Sequence, residues 1–517
     1  MTDSREAQGY AELVALLKQF REFRKPVVRD GAPDYSPAAM ERQSRGLGKY
    51  QRRLAAIDSS RWPVSKQVDY HLVRAQMNGL EFHHRALRPW FRDPAFYVTV
   101  AIQFAHRLHG AISPRMLLSP PANLDELELS LKAVPAILEQ ARENLTEAGG
   151  DLTMLGIRLK KREAEIYRKC ITALQERNSG LVADARKALR ATESFGKWLR
   201  QNRKRMDAPS GIGIENYNWH LKHVQLIPYD WNEMMTISER EYGRTIAMMK
   251  FEEHRNRNLP PMIPESSAEG LIRLGKRARR ELWKYLREGE VLTPPDYMKP
   301  KWKFGKAGKP GGKRDYFENI LHRDPLPLIP HDVVGHTPDA VREKRDRRPV
   351  RGTGISHFVD SFRAEGLATG IEEILMQTGM LDKRPRSREL TYNLVAHRAA
   401  RSIADLKMHS NEFTFAQAFD HVVEKTPYGW QLPGGRVMWG DIELYLRQPS
   451  YGTAYTVGAT QLQKLIADRA MQQGKSFNLR SFMDRFLGLG MIPITLARWE
   501  MTGLDDEIRK LNACNAR

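Results

Sequence analysis

The sequence predicts a mostly α fold, and three observations carry that prediction. Apolar residues recur at three- and four-residue spacing over long stretches, as amphipathic helices require. Short runs of alternating Val, Ile and Thr, the mark of half-buried strands, are scarce. Pro- and Gly-rich breakers divide the periodic stretches at 119–121 (SPP), 208–211 (APSG), 259–261 (LPP) and 293–295 (TPP).

In chain order, the periodicity places helices over 10–23, 68–82, 124–145, 157–174, 181–199 and 231–251, with a further one over 357–379. No internal repeat is visible. The expected organisation is a helical N-terminal half, 1–230, and a helical half carrying the chemistry, 231–517. A chain of 517 residues is long enough for two or three domains or one large helical one. With 41% hydrophobic and 28% charged residues, wholesale disorder and fibrous classes are excluded. The two cysteines, Cys170 and Cys514, are too few for a disulfide framework or a thiolate zinc site, and they suit a reducing compartment. The first ten residues lack a basic-then-apolar signal pattern. The longest uncharged stretches, such as 486–497, fall short of the roughly 20 residues that span a bilayer. The expected setting is cytoplasmic, without a membrane partner.

Lys and Arg number 83 against 62 Asp and Glu, a net charge of +21. Most of this excess is scattered among acids, and no nucleic-acid motif accompanies it, so nucleic acid is not an expected partner. Two basic runs stand out. Residues 299–314 (KPKWKFGKAGKPGGKR) contain seven Lys or Arg and no acid, and read as a loop. Residues 342–351 (REKRDRRPVR) contain six positive residues against two negative. Both runs read either as solvated loops or as an electropositive collar that draws in an anionic substrate.

Between the two runs lies the segment LIPHDVVGHTP, residues 328–338. Its histidines, His331 and His336, could offer two neutral imidazoles to a divalent metal, leaving Asp332 for orienting or base work. Five-residue spacing sets them about 140° apart on an ideal helix, so both reach one metal only if the helix opens near Gly335. The next helix supports the idea. Phe358, Phe362, Glu365, Thr369 and Glu372 form one stripe along it, beginning with aromatics and ending with carboxylates. Acids on an apolar stripe need a metal or a buried arginine as partner. Two histidines and a helix-borne Glu make up the ligand set of helical zinc hydrolases. They equally make up the two-His-one-carboxylate set of non-haem iron oxygenases.

At this point the chain resembles a large bacterial family catalogued as domain of unknown function 885, whose members resemble helical metallopeptidases that bind zinc through two His and a Glu. The family's His-Glu-x-x-Pro-Gly-His motif is similar to residues 331–336, and its Glu-Gly-Trp-Ala-x-x-x-Glu-Glu helix to 365–373. An Arg-x-x-Arg-x-x-x-Asp-x-x-x-His helix corresponds to Arg398, Arg401, Asp405 and His409, and a Pro-x-x-x-x-x-Tyr-x-x-Gly segment to Pro449, Tyr455 and Gly458. The C-terminal signature corresponds to 477–493, and weaker similarity runs back through 214–217 to about residue 45. Three positions depart from the pattern. Asp332 replaces the usual Glu, no Pro precedes Gly335, and Met483 stands where His is frequent. The shorter Asp332 reduces the reach of a base toward water. The segment HDVVGHTP is also locally similar to the aromatic amino-acid hydroxylases, where both histidines bind iron, although the rest of that fold has no counterpart here.

The resemblance implies a large helical metallopeptidase-like fold with a deep central cleft. It also implies one divalent metal, zinc favoured over iron, held by His331, His336 and Glu365. Asp332 would orient or deprotonate water, and Tyr455 would steady an oxyanion. Glu372 would support the metal from behind or add a ligand. Arg398 and Arg401 would pair with a substrate carboxylate or, more plainly, with Asp405 or Glu372. His409 would back the site or pack in the core. His322 and His357 have no supporting pattern. The expected function is a metal-dependent hydrolase acting on an amide bond of a small or peptide-like substrate, with an anionic one included. A non-haem iron oxygenase is the first alternative, and a non-catalytic basic module binding an anionic or nucleic-acid partner is the second. The sequence leaves the oligomeric state open.

Overall fold

The computed structural model describes residues 2–102, 105–119, 124–177, 180–298 and 313–513. Helix accounts for 73% and strand for 2%, so the mostly α prediction holds. The expected N-terminal helices are present as Thr2–Phe23, Val64–Phe82, Asp125–Asn144, Gly150–Gln175, Val182–Asn202 and Trp231–Arg255. The last of these begins on a capping box. The Asp230 side chain accepts from the Glu233 N–H and the Glu233 side chain accepts from the Asp230 N–H, an arrangement worth about 1 kcal/mol.

Helices Asp125–Asn144, Gly150–Gln175 and Val182–Asn202 enclose an N-terminal core that includes Leu127, Val134, Tyr167 and Phe195. A larger core joins Leu13, Leu72 and Met77 to Phe362, Leu367, Val457 and Phe486. Four long helices build the far side of that core. Trp231–Arg255 packs along Pro385–His409, which in turn packs on Tyr451–Gln473, and Ser361–Leu375 lies along Tyr451–Gln473. That last crossing is close because Gly366 faces Gly458. A Cβ on Gly458 would overlap the Phe362 carbonyl and the Gly366 backbone. The missing side chains let the two backbones nearly touch, which sets the distance between Glu365 on one helix and the tyrosines on the other.

Two expectations change. The helix predicted over 357–379 is Ser361–Leu375, continued by a π turn at Met376–Met380. His357 and Phe358 lie before it with φ of 61° and 54°, and two successive left-handed residues cannot continue a right-handed helix. Phe358 therefore leaves the expected stripe. Of the basic run 299–314, residues 299–312 lie outside the described residues. In the second run, several arginines are engaged internally. Arg342 pairs with Asp339, Arg348 with Asp346, and the buried Arg351 with both Asp69 and Glu500. Arg351 ties this segment to two distant helices, whereas the other two pairs are local.

Candidate metal centre

His331–His336 is a π turn, in which hydrogen bonds close over five residues instead of four. The wider turn brings residues i and i+5 to one side, so both imidazoles face the same point despite a spacing that an α-helix would splay. The expected opening at Gly335 does not occur, since Gly335 is not among the left-handed glycines. Its role is close approach. A Cβ there would lie 2.7 Å from the Ala368 Cβ, so only glycine lets the turn settle on the Ser361–Leu375 helix.

This packing brings His331, His336 and Glu365 together, as the sequence suggests. The two Nε2 atoms lie 3.2 Å apart. Glu365 Oε2 lies 3.6 Å from His331 Nε2 and 3.4 Å from His336 Nε2. A point about 2.0 Å from all three atoms exists in their plane. That distance matches zinc bonds to imidazole nitrogen and carboxylate oxygen, about 2.0–2.2 Å. Glu365 is buried, and its Oε2 has no hydrogen-bond partner. A buried carboxylate oxygen facing two imidazole nitrogens fits a zinc-type cation. Burial alone would raise the Glu365 carboxyl, but the imidazoles of His331 and His336 hold it well below the usual carboxylate range.

The neighbours fix these three side chains. Glu372, two turns beyond Glu365 on the same helix, sets its Oε1 3.1 Å from His331 Nδ1. It is fully buried and takes both donors of Arg398, at 2.6 and 2.7 Å. Arg398 Nη2 lies 3.2 Å from the same nitrogen; in the tautomer that carries its proton on Nδ1, toward Glu372, the His331 lone pair is on Nε2, facing the other two ligand atoms. The Tyr451 hydroxyl donates to Glu365 Oε1 at 2.5 Å, which leaves Oε2 free to face the histidines. Tyr455, one turn along, stacks parallel to the His331 ring at 6.4 Å. Asp339 ties the segment after the π turn to this helix through the buried Arg363, at 2.8 Å.

The remaining expected residues separate into distinct roles. Asp332 follows His331 in the turn and is half-buried. Arg398 pairs with Glu372, whereas Arg401 pairs with Asp441 at 2.7 Å and lies over the Tyr455 ring at 4.5 Å. Neither arginine pairs with Asp405, which accepts from the backbone N–H groups of Ser450 and Thr453 at the start of Tyr451–Gln473. Asp405 thereby holds the end of the helix that carries both tyrosines. His409 is a core histidine, fully buried with Nε2 donating to the Tyr445 carbonyl at 3.0 Å. Sequence reasoning missed the Tyr451 contact and Asp441. The four-residue spacing of Tyr451 and Tyr455 after Pro449 marks the shared face, but it does not say which hydroxyl meets Glu365.

The chain belongs to the family described as "Bacterial protein of unknown function (DUF885)", whose pattern matches residues 22–257 and 347–501. The matched segments contain Glu365, Glu372, Arg398, Tyr451 and Tyr455, while the stretch with His331, Asp332 and His336 lies between them. No curated protein matches. Among solved structures, a candidate lipoprotein of unknown function from Shewanella oneidensis superposes with a TM-score of 0.73. It is 16% identical, with 95% of this chain and 99% of that one covered. A candidate lipoprotein from Colwellia psychrerythraea gives a TM-score of 0.70 at 15% identity, with 99% of both chains covered. At these identities the likeness is one of fold. No helix among the described residues is long and apolar enough to cross a membrane.

Proposed function

We propose that this member of the family is a metal-dependent hydrolase of the metallopeptidase type, cleaving an amide bond in a small or peptide-like substrate. The observation that carries the reading is the convergence of His331, His336 and Glu365, whose ligand atoms lie within 4.8 Å of one another. A zinc ion held there would polarise a carbonyl and make water nucleophilic at neutral pH.

The chain's own residues would do the rest. Glu372 keeps the His331 lone pair on Nε2, and Tyr451 keeps Glu365 turned toward the histidines. Asp332, next to His331 in the turn and half-buried, would take the proton from the attacking water. Tyr455 would donate to the substrate carbonyl oxygen as charge develops on it. Burial, then the charge of Glu365, pushes its hydroxyl far above the usual phenol range, so it stays a donor at any working pH.

The test is amide hydrolysis by the zinc-loaded chain on a panel of short peptide anilides. Asp332→Asn should abolish turnover while zinc stays bound, and Asp332→Glu should keep or raise it, since the longer arm reaches water more easily. An Asp332→Asn variant that remains active, takes up iron and consumes oxygen with its substrate would replace this reading with the oxygenase one.

A further inference from the structure

A cavity of about 280 Å3 lies just beyond the end of helix Thr2–Phe23 and shares no residue with the metal centre. We propose that it binds a small organic anion, with one carboxylate or phosphate group on an apolar body. This inference does not depend on the hydrolase reading.

The first argument is charge. Arg24, Lys25 and Arg107 line the cavity together with four histidines, and among the described residues no carboxylate does. Elsewhere the cations of this chain commonly face acids, as Arg244 faces Glu241 and Glu373, and Arg384 faces Glu281 and Asp324. Here Lys25 pairs with the exposed Glu22, but neither Arg24 nor Arg107 has an ion-pair partner among the described residues. Burial first, and then neighbouring charges that include Arg24, hold His83, His109 and His357 below the usual histidine range. The wall therefore lacks a counter-charge. A cleft lined by one sign of charge concentrates ions of the other, and a bound anion would supply what is missing.

The second argument is a set of donors with nothing to meet. Arg24 Nε, Trp90 Nε1 and His357 Nε2 are buried and have no hydrogen-bond partner among the described residues. All three side chains line the cavity. The first two atoms can only donate, and an imidazole nitrogen can do so in one tautomer. Trp90 is 4% exposed. Buried polar atoms in folded proteins are nearly always paired, so three orphans on one wall point to an acceptor that belongs there.

The third argument is that the wall is built in advance. Arg21, one turn before Arg24, donates to the Thr353 carbonyl at 2.6 Å and to that of Gly354. Gln76 accepts from the Ser356 N–H at 3.3 Å and from its hydroxyl at 3.1 Å. His357 then takes a left-handed φ of 61° and packs on Gly79, where a Cβ would come within 2.5 Å of the His357 Cβ. Residues strained in this way persist where the surroundings over-determine them, frequently at ligand sites. His357 Nδ1 lies 3.4 Å from His83 Nε2, which leaves Nε2 for a ligand. Tyr35, Trp90 and Phe96 provide the apolar surface, with Tyr35 stacked on Trp90 at 6.3 Å and edge-on to Phe96 at 5.0 Å. Ligand pockets run from about 300 to 1,000 Å3, so this one suits a small occupant.

Titration calorimetry on the full chain, with and without His331→Ala/His336→Ala, tests this. The probes are benzoate, phenyl phosphate, inorganic phosphate and neutral benzyl alcohol. At least one aromatic anion should bind at one site in both forms, about tenfold tighter than inorganic phosphate and more weakly as salt rises. The tighter of benzoate and phenyl phosphate names the acidic group. Arg24→Gln should weaken that binding about tenfold or more, the loss of a charge-assisted hydrogen bond. Arg107→Gln changes an exposed side chain, and should weaken binding several-fold and flatten its salt dependence. Lys204→Gln, outside the cavity, should change nothing. The proposal is overturned if neither aromatic anion binds more tightly than about 10 mM, or if benzyl alcohol or inorganic phosphate binds as well. It is equally overturned if binding disappears in His331→Ala/His336→Ala, which places the anion on the metal centre, or survives both arginine changes undiminished.

Discussion

In a Glu372→Gln variant, His331 would face a neutral amide in place of the carboxylate that favours a proton on Nδ1. Glu372 is fully buried, with Oε1 3.1 Å from His331 Nδ1 and both oxygens held by Arg398. Arg398 Nη2 also lies 3.2 Å from His331 Nδ1. With the carboxylate gone, that guanidinium can donate to Nδ1, which forces the proton onto Nε2 and blocks the nitrogen that faces Glu365. Removing the partner of a liganding histidine typically costs 10- to 100-fold in metal affinity, and a loss of about that size is expected here. A second cost is structural. Arg398 is 3% exposed, and stranding a buried charge lowers stability by about 3–5 kcal/mol. Glu372→Gln/Arg398→Met separates the two effects. It should recover most of the stability, because no charge is stranded, and still bind zinc weakly, because Nδ1 still lacks its carboxylate. Zinc competition against a chelator gives the affinity, and urea unfolding of the metal-free protein gives the stability. A Glu372→Gln variant that binds zinc within twofold of the parent would refute the tautomer argument.

Other perturbations probe the frame around the site. Gly458→Ala should cost about 1–3 kcal/mol in urea melts, because the new methyl meets the Phe362 carbonyl and Gly366 across a closed helix crossing. Burial raises the Asp405 carboxyl from 3.8 to about 8, even with backbone N–H groups opposing the shift. Since the folded state binds that proton more tightly than the unfolded one, its contribution is complete below about pH 4 and is lost as pH rises through about 8. Asp405→Asn should flatten the stability profile across that window, and an unchanged slope would count against the assignment. Arg351→Ala should lower stability by about 3 kcal/mol or more, through the stranded Asp69. It should leave the salt dependence of any anionic ligand's binding unchanged, the opposite of what a collar residue would do.

Much of the centre was legible in the sequence because its chemistry is carried by residue type. Histidines around an acid, followed by carboxylates on an apolar stripe, point to a ligand set whatever the exact backbone. The turn that joins them was not legible. Helical periodicity assumes 3.6 residues per turn, and nothing in HDVVGH announces the wider π turn that makes five-residue spacing productive. The partner of Glu365 was half legible. Tyr451 and Tyr455 were placed on one face, but which of the two meets the carboxylate depends on the Gly366–Gly458 crossing, a tertiary distance. Arg398 and Glu372 were readable as a pair, whereas Asp441, on a different helix from Arg401, carried no local signal.

Crystals of the zinc-loaded chain, with anomalous-difference maps recorded on both sides of the zinc edge, test the ligand assignment itself. The account predicts a peak about 2.1 Å from His331 Nε2, His336 Nε2 and Glu365 Oε2. A map with no peak at that point, in crystals whose Glu365 Oε2 still faces the two imidazoles, would contradict it.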